Sequence, residues 1–338
     1  MKKKTSKLIL IIPLVLVVFL ILFFNFREDN ERSIKFNQDR VFSKELNLIK
    51  SYPMDKRYSV MRHSANNLYF VNWGSGQIFE FNKKDLKLNK TYGSKGEGPK
   101  ENLLISRFDI DDNTYSVVDT KKHTIQVVTF DDSLLYYYKY PKPLLRSSKV
   151  GENYLFAGWD IDFNITFEKF NLLNKITTKI TVDDQRFVGK EKTGLLYDGF
   201  FVKNNFHEAF VSYSNDAIFC FDKDLNYLYS MDMVYDIPDP RYEKLSDGNS
   251  YPSKDNYNCT EAAFLDENNL MFLLTTDTDK NYKETRIIDV YNLIQKKYLY
   301  SIIVKNIDGY PPEEILKEKN TMYVLYENAV VKYTINDK

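Results

Sequence analysis

Leu68 to Tyr92 reads LYFVNWGSGQIFEFNKKDLKLNKTY, and its punctuation decides the fold. LYFVN is followed by a turn, WGSG; QIFEF follows, then a polar turn, NKKD, then LKLNKTY. Alternating aromatic and β-branched runs of this length, bounded by Gly, Asn, Asp and Lys, are strands joined by tight turns.

The plan recurs down the chain. The second copy is TYSVVD, TIQVVTF and LLYYYKY (114–140), and the third is NYLFAGWD, FNITFEKF and KITTKITV (153–182). The fourth is EAFVSYS, AIFCF and YLYSMDM (208–233), and the fifth is LMFLLTT, ETRIIDVY and KKYLYSIIV (270–304). The sixth, TMYVLYE and VVKYTIN (321–336), ends with the chain. A further strand-like piece precedes most copies, such as ISRFDI before the second and EAAFLD before the fifth. Four strands per unit in six units predict an all-β, six-bladed β-propeller.

The sixth unit lacks its outermost strand. Glu45 to Tyr52, ELNLIKSY, resembles the fourth strands LKLNKTY and LNYLYSM. An open ring would leave a bare sheet edge, so this N-terminal strand is expected to complete the last blade. A pair of β-sandwiches is the competing architecture, but it has no need of a strand supplied from the far end.

Lys2, Lys3, Lys4 and Lys7 precede an unbroken apolar run, Leu8 to Phe24. About 17 apolar residues are just long enough for a helix to span a bilayer. The run ends FFNFRED, without the small residues of a signal-peptidase site and without a lipoprotein cysteine. The reading is an uncleaved signal anchor over residues 1–27, with a cleaved signal as the alternative. The lysines hold the N-terminus in the cytoplasm. The rest then faces the periplasm from a bacterial inner membrane, held through residues 8–26. Residues 28–41 read as a tether and 42–338 as the propeller.

Composition excludes several classes. Lys plus Arg and Asp plus Glu are both 47 in 338 residues, so nothing points to nucleic acid. Two cysteines, Cys220 and Cys259, are too few for a disulfide scaffold, and whether they pair is left open. His63, His123 and His207 show no metal-ligand spacing. No G-x-S-x-G elbow occurs.

The blade phrases LYFVN…QIFEF and YSVVD…TIQVVTF resemble the six-bladed β-propellers of the NHL-repeat type found in Bacteroidetes. The segment Gly93 to Asn102, GSKGEGPKEN, resembles that family's G-x-x-G-x-G-P-x-E-[FY] signature at Gly93, Gly96, Gly98, Pro99 and Glu101, with Asn102 where an aromatic is usual. The resemblance covers about Phe42 to Asn336 and implies the fold rather than a reaction. The same glycines could suggest a phosphate loop, but a strand-like LLISRFDI follows where a helix would be needed.

Asn72, Asp119, Asp160 and Glu327 close the second strand of four units, and Trp73 follows Asn72. These five residues are the candidate ligand-binding set, expected at the mouth of the central channel. Trp159 stands at an equivalent place and has packing between blades as its plainer role. Resemblance to gluconolactonase-like propellers would make the acidic ring a Ca²⁺ site. No other cofactor is expected. The leading function is a binding or scaffold module for an envelope protein or glycan, with a metal-dependent hydrolase or lactonase as the alternative. The long Tyr235 to Asn258 stretch carries Pro238, Pro240 and Pro252, which argue against a strand there.

Overall fold

The computed structural model describes residues 34–142, 146–244, 250–253, 256–276 and 285–338. The expected anchor, residues 1–27, lies outside the described residues. Among the described residues no helix is long and apolar enough to cross a membrane.

Six antiparallel four-stranded sheets form the blades. In blade 1 the strands are Ser59–His63, Asn67–Asn72, Gln77–Asn82 and Leu88–Tyr92, paired in chain order from the inside outward. Blades 2 to 5 repeat this order, with inner strands Ile105–Ile110, Arg146–Val150, Gly199–Lys203 and Thr260–Leu265. Blade 6 runs Pro312–Glu318, Thr321–Tyr326, Ala329–Asp337, and its outer strand is Lys44–Pro53 from the other end of the chain. Nine residue pairs join Lys44–Pro53 to Ala329–Asp337, with a bulge between Leu48 and Lys50. Each inner strand touches the inner strand of both neighbours, so the ring is closed.

The core explains why the second strands read as nearly unbroken apolar runs. Six apolar clusters fill the six gaps between adjacent blades. Met271, Phe272, Leu273 and Leu274 are all fully buried, because a propeller blade is covered on both faces. The closing strand serves two gaps: Leu46 packs between blades 5 and 6, and Tyr52 between blades 6 and 1. Outer strands keep exposed residues, as in Leu88–Tyr92, where only Tyr92 is buried.

Two segments depart from expectation. Residues 34–41 are not a featureless tether. Lys35–Phe36 pairs with Tyr235–Asp236, and the Asn37 amide donates to the Val234 carbonyl at 2.9 Å. Arg40 then buries its guanidinium on Asp289. The stretch after Tyr235 is also not strand-free: besides that pairing, Tyr242–Lys244 pairs with Ser250–Pro252. Proline is tolerated because Pro252 closes its strand at the free end of a two-stranded hairpin.

The GSKGEGPKEN segment is the link from blade 1 to blade 2. Ser94–Lys95 pairs in parallel with Glu101–Asn102. The Glu101 carboxylate accepts from the Gly98 amide at 2.7 Å, so the loop is stapled by its own acid and not shaped for phosphate. Asn102 is buried; its side chain donates to the Gly76 carbonyl at 3.0 Å and accepts from Gln126 at 3.3 Å. Gly76 has φ +64°, and a Cβ there would lie 2.5 Å from the Asn102 carbonyl oxygen, so only glycine fits.

Candidate functional site

The six inner strands enclose a cavity of about 1170 Å³ on the propeller axis. It runs from the turns after the inner strands, such as Ser64–Ala65 and Asn204–Asn205, to the opposite mouth at Arg57, Trp73 and Tyr213. Side chains of inner strands reach this space because nothing lies inside them.

At the mouth the Arg57 guanidinium pairs with Glu313 at 2.7 Å and lies 3.6 Å from Glu327. The Asn72 side-chain amide donates to the Arg57 carbonyl at 2.8 Å, and its oxygen accepts from the Ser75 amide at 2.8 Å. Trp73 is 51% exposed and lines the cavity. Across the opening, Arg146 forms a two-point pair with Asp198, at 3.1 and 2.9 Å, and stacks over Tyr213 at 5.3 Å.

Three of the five expected residues, Asn72, Trp73 and Glu327, thus gather around Arg57. The other two are employed elsewhere. Asp119 is fully buried, and its carboxylate accepts from four backbone amides: Leu103 at 2.6 Å, Leu104 at 3.3 Å, Lys121 at 3.0 Å and Lys122 at 2.9 Å. Asp160 is exposed and accepts from the Asp162 and Asn164 amides within its own turn, at 2.9 and 2.8 Å. Both are turn builders, as Asp is at strand ends. Among the described residues no three His, Cys, Asp or Glu side chains gather as a metal-ligand group. Trp159 packs on Phe163 and closes over Gly194, where a Cβ would meet its ring at 2.3 Å.

Deeper in, the channel holds charges that the sequence reading passed over. Arg62, Arg107, Lys149 and Lys203 come from the inner strands of blades 1 to 4. Glu261, Glu314 and Glu318 come from blades 5 and 6. Asp109 receives Lys203 at 3.0 Å and Arg107 at 3.6 Å. Burial opposes its ionisation, but Lys203, Arg107 and Arg62 outweigh burial and hold its pKa well below the usual carboxylate range. Burial raises Glu314 to about 7 against the pull of Arg62 and Arg107. Burial likewise raises Glu208, behind Lys203, to about 8. Ser148 faces Glu208 without making a well-formed hydrogen bond, so neither carboxylate oxygen has a partner. The available signal was a charged residue inside an otherwise apolar strand at the first position of each unit, as in SVMRH, ISRFDI and GFFVK.

His63 lines the same channel, with the Lys83 ammonium 3.3 Å from its Nδ1. Burial and then Lys83 lower its pKa, which keeps it neutral. His207 lies outside, bonded to Asn269 at 2.7 Å. Cys220 and Cys259 are fully buried in one cluster and are not joined as a disulfide.

No protein-family model and no curated protein matches the sequence. Solved structures do match it. A candidate exported protein from Bacteroides fragilis is 14% identical, with a TM-score of 0.59 over 91% of this chain and 99% of that one. A member of the DUF4221 family from Bacteroides vulgatus is 11% identical, with a TM-score of 0.58 over 88% of this chain and 99% of that one. A catalytically inactive virginiamycin B lyase from Staphylococcus aureus, solved with quinupristin, is 11% identical, with a TM-score of 0.51 over 86% and 99%. At these identities the likeness is one of fold. The chain is a six-bladed β-propeller.

Proposed function

We propose that the chain is a binding or scaffold propeller, NHL-repeat-like in kind, anchored through residues 8–26 in an inner membrane and facing the periplasm. The observation that carries the binding reading is the axial cavity of about 1170 Å³, whose mouth presents the exposed Trp73 beside the Arg57–Glu313 pair. A pre-formed concave space with an apolar surface and a few convergent polar groups is the ordinary form of a small-ligand site. Trp73 offers a ring for stacking on a sugar or an aromatic side chain. Asn72 and Glu327 fix Arg57, while Asp119 and Asp160 brace the loops around it. The lysine-flanked run Leu8 to Phe24 supports the anchor. No gathering of acidic ligands among the described residues favours the metal-dependent hydrolase.

Two measurements test this reading. Full-length protein in mild detergent, examined by native mass spectrometry after incubation with envelope glycans and peptides, should retain a ligand. Trp73→Ala should weaken retention about tenfold, the value of one lost stacking contact. Equal retention by both proteins removes the mouth from the site. A reporter active only in the periplasm, fused after Lys338, should be active; activity of a cytoplasm-only reporter there overturns the topology.

A further inference from the structure

We propose that the mid-channel is an oxyanion site in which Arg62 takes the carboxylate of a small organic acid. The inference rests on the channel being the binding site and names what enters it.

The argument starts from charge pairing. Arg57 is matched by Glu313, Arg146 by Asp198, and Lys149 by Asp111. Lys203 and Arg107 share the single carboxylate of Asp109. Arg62 differs from all of these. Its Nη1 donates to its neighbour's carbonyl, that of Met61, at 2.8 Å, and no carboxylate of the described residues comes within ion-pair distance. Phe108 supports the guanidinium from one side, with the ring centroid 5.8 Å away.

Around Arg62 the negative side is short. Asp109 is an ionised acid set against three cations, Lys203, Arg107 and Arg62. Glu208 and Glu314 are acids that burial drives toward the neutral form near neutral pH. Burial and then Arg107 lower Arg62 itself to about 10, more than Glu314, Asp109 and Glu208 restore. Arg107 Nε is a buried donor with no acceptor. Unmatched donors and like charges held close together are what an incoming anion relieves. A planar guanidinium fork suits a carboxylate in two-point geometry.

The opposite wall selects the rest of the ligand. Ala262, Ala263, Phe264 and Ile315 give it apolar surface, and the carboxyl groups of Glu314 and Glu261 offer no cation for a second negative charge. A monoanion with an apolar body therefore fits better than free phosphate.

The test uses the full-length protein in detergent with three probes: phenylacetate, its neutral amide phenylacetamide, and inorganic phosphate. Ligand-observed NMR titration should show saturable binding of phenylacetate and at least tenfold weaker binding of phenylacetamide. Arg62→Gln should lose at least tenfold for phenylacetate, and Arg62→Lys should fall between, keeping charge without the fork. Unchanged thermal melting of Arg62→Gln is expected, since it removes a repulsion with Arg107. Should that variant melt early, the amide comparison on wild-type protein decides. Equal binding of acid and amide, no saturable phenylacetate binding, or an unaffected Arg62→Gln overturns the inference. Tighter binding of phosphate than of phenylacetate overturns the organic-acid assignment. If Trp73→Ala still loses envelope-ligand retention while Arg62→Gln changes nothing, the binding channel stands and the anion site falls.

Discussion

Arg40 and Asp289, 249 residues apart in sequence, form a two-point ion pair, with Nε to Oδ1 at 3.0 Å and Nη2 to Oδ2 at 2.7 Å. The side chains are 5% and 0% exposed. Ser301 donates to the same carboxylate at 2.5 Å, and the Arg40 guanidinium lies 5.1 Å from the Phe36 ring and 5.7 Å from that of Tyr235. The pair fastens the segment before the closing strand to blade 5.

Removing one partner leaves the other charge buried, which costs about 3–5 kcal/mol. Arg40→Ala should lose that much in urea denaturation, and adding Asp289→Leu should recover part of it. A loss below about 1 kcal/mol would mean that water replaces Arg40 and that the pair is not a clamp.

The closing strand gives a graded truncation series. A chain starting at Ile34 should melt like the full-length protein. One starting at Phe42 should melt lower, having lost the Phe36–Tyr235 contact and Arg40. One starting at Met54 should lose cooperative unfolding or aggregate, because Ala329–Asp337 becomes an open edge. Identical melting of all three would show that the ring does not depend on this strand.

Asp119 and Asp160 look alike in the sequence and should behave differently. Asp119→Ala strands four amide donors and should cost about 3 kcal/mol or more. Asp160→Ala loses contacts within one exposed turn and should cost about 1 kcal/mol or less. Chemical denaturation of the two variants side by side checks the contrast; equal losses would contradict the burial difference.

Glu208 sets a pH dependence. Its pKa rises from an ordinary 4.5 to about 8 in the folded chain. The folded state therefore holds this proton more tightly than the unfolded chain. Its contribution to stability is fully present below about 4.5 and is lost as pH climbs to about 8. Glu208→Gln should gain on the wild type progressively across that window in melting temperature. A constant difference between pH 5 and pH 8 would refute the buried, unpartnered acid.

Much of the architecture is legible in the sequence. LYFVN, TYSVVD and MYVLY are local, repeated and aromatic, so pattern alone placed the second strands. The missing strand of the last unit and the spare strand at Glu45–Tyr52 identified each other. The site was less legible, because its residues gain meaning only from distant partners. Arg40 sits in a charged stretch that averages to a solvated tether; Asp289 makes it a buried anchor. Arg62 and Glu314 lie on first strands, where a charge among apolar residues hints at the channel, but only the ring brings the two strands together. Asn72 and Asp119 occupy the same position in successive blades, and only the loop above each decides whether it meets the mouth or a set of amides. The prolines after Tyr235 forbade a central strand but not a marginal hairpin.

The shared construction of blade 6 also sets an order of events in time. Lys44–Pro53 leaves the ribosome before blades 1 to 5 and its partner Ala329–Asp337 after them. At ordinary synthesis rates the wait is on the order of 15–55 s. Through that interval the first strand has no sheet to join, and blades 1 to 5 form as an unsealed arc. Locking of the ring is then a single late step, taken only once Ala329–Asp337 has emerged, and loss of that strand would leave the whole arc unlatched.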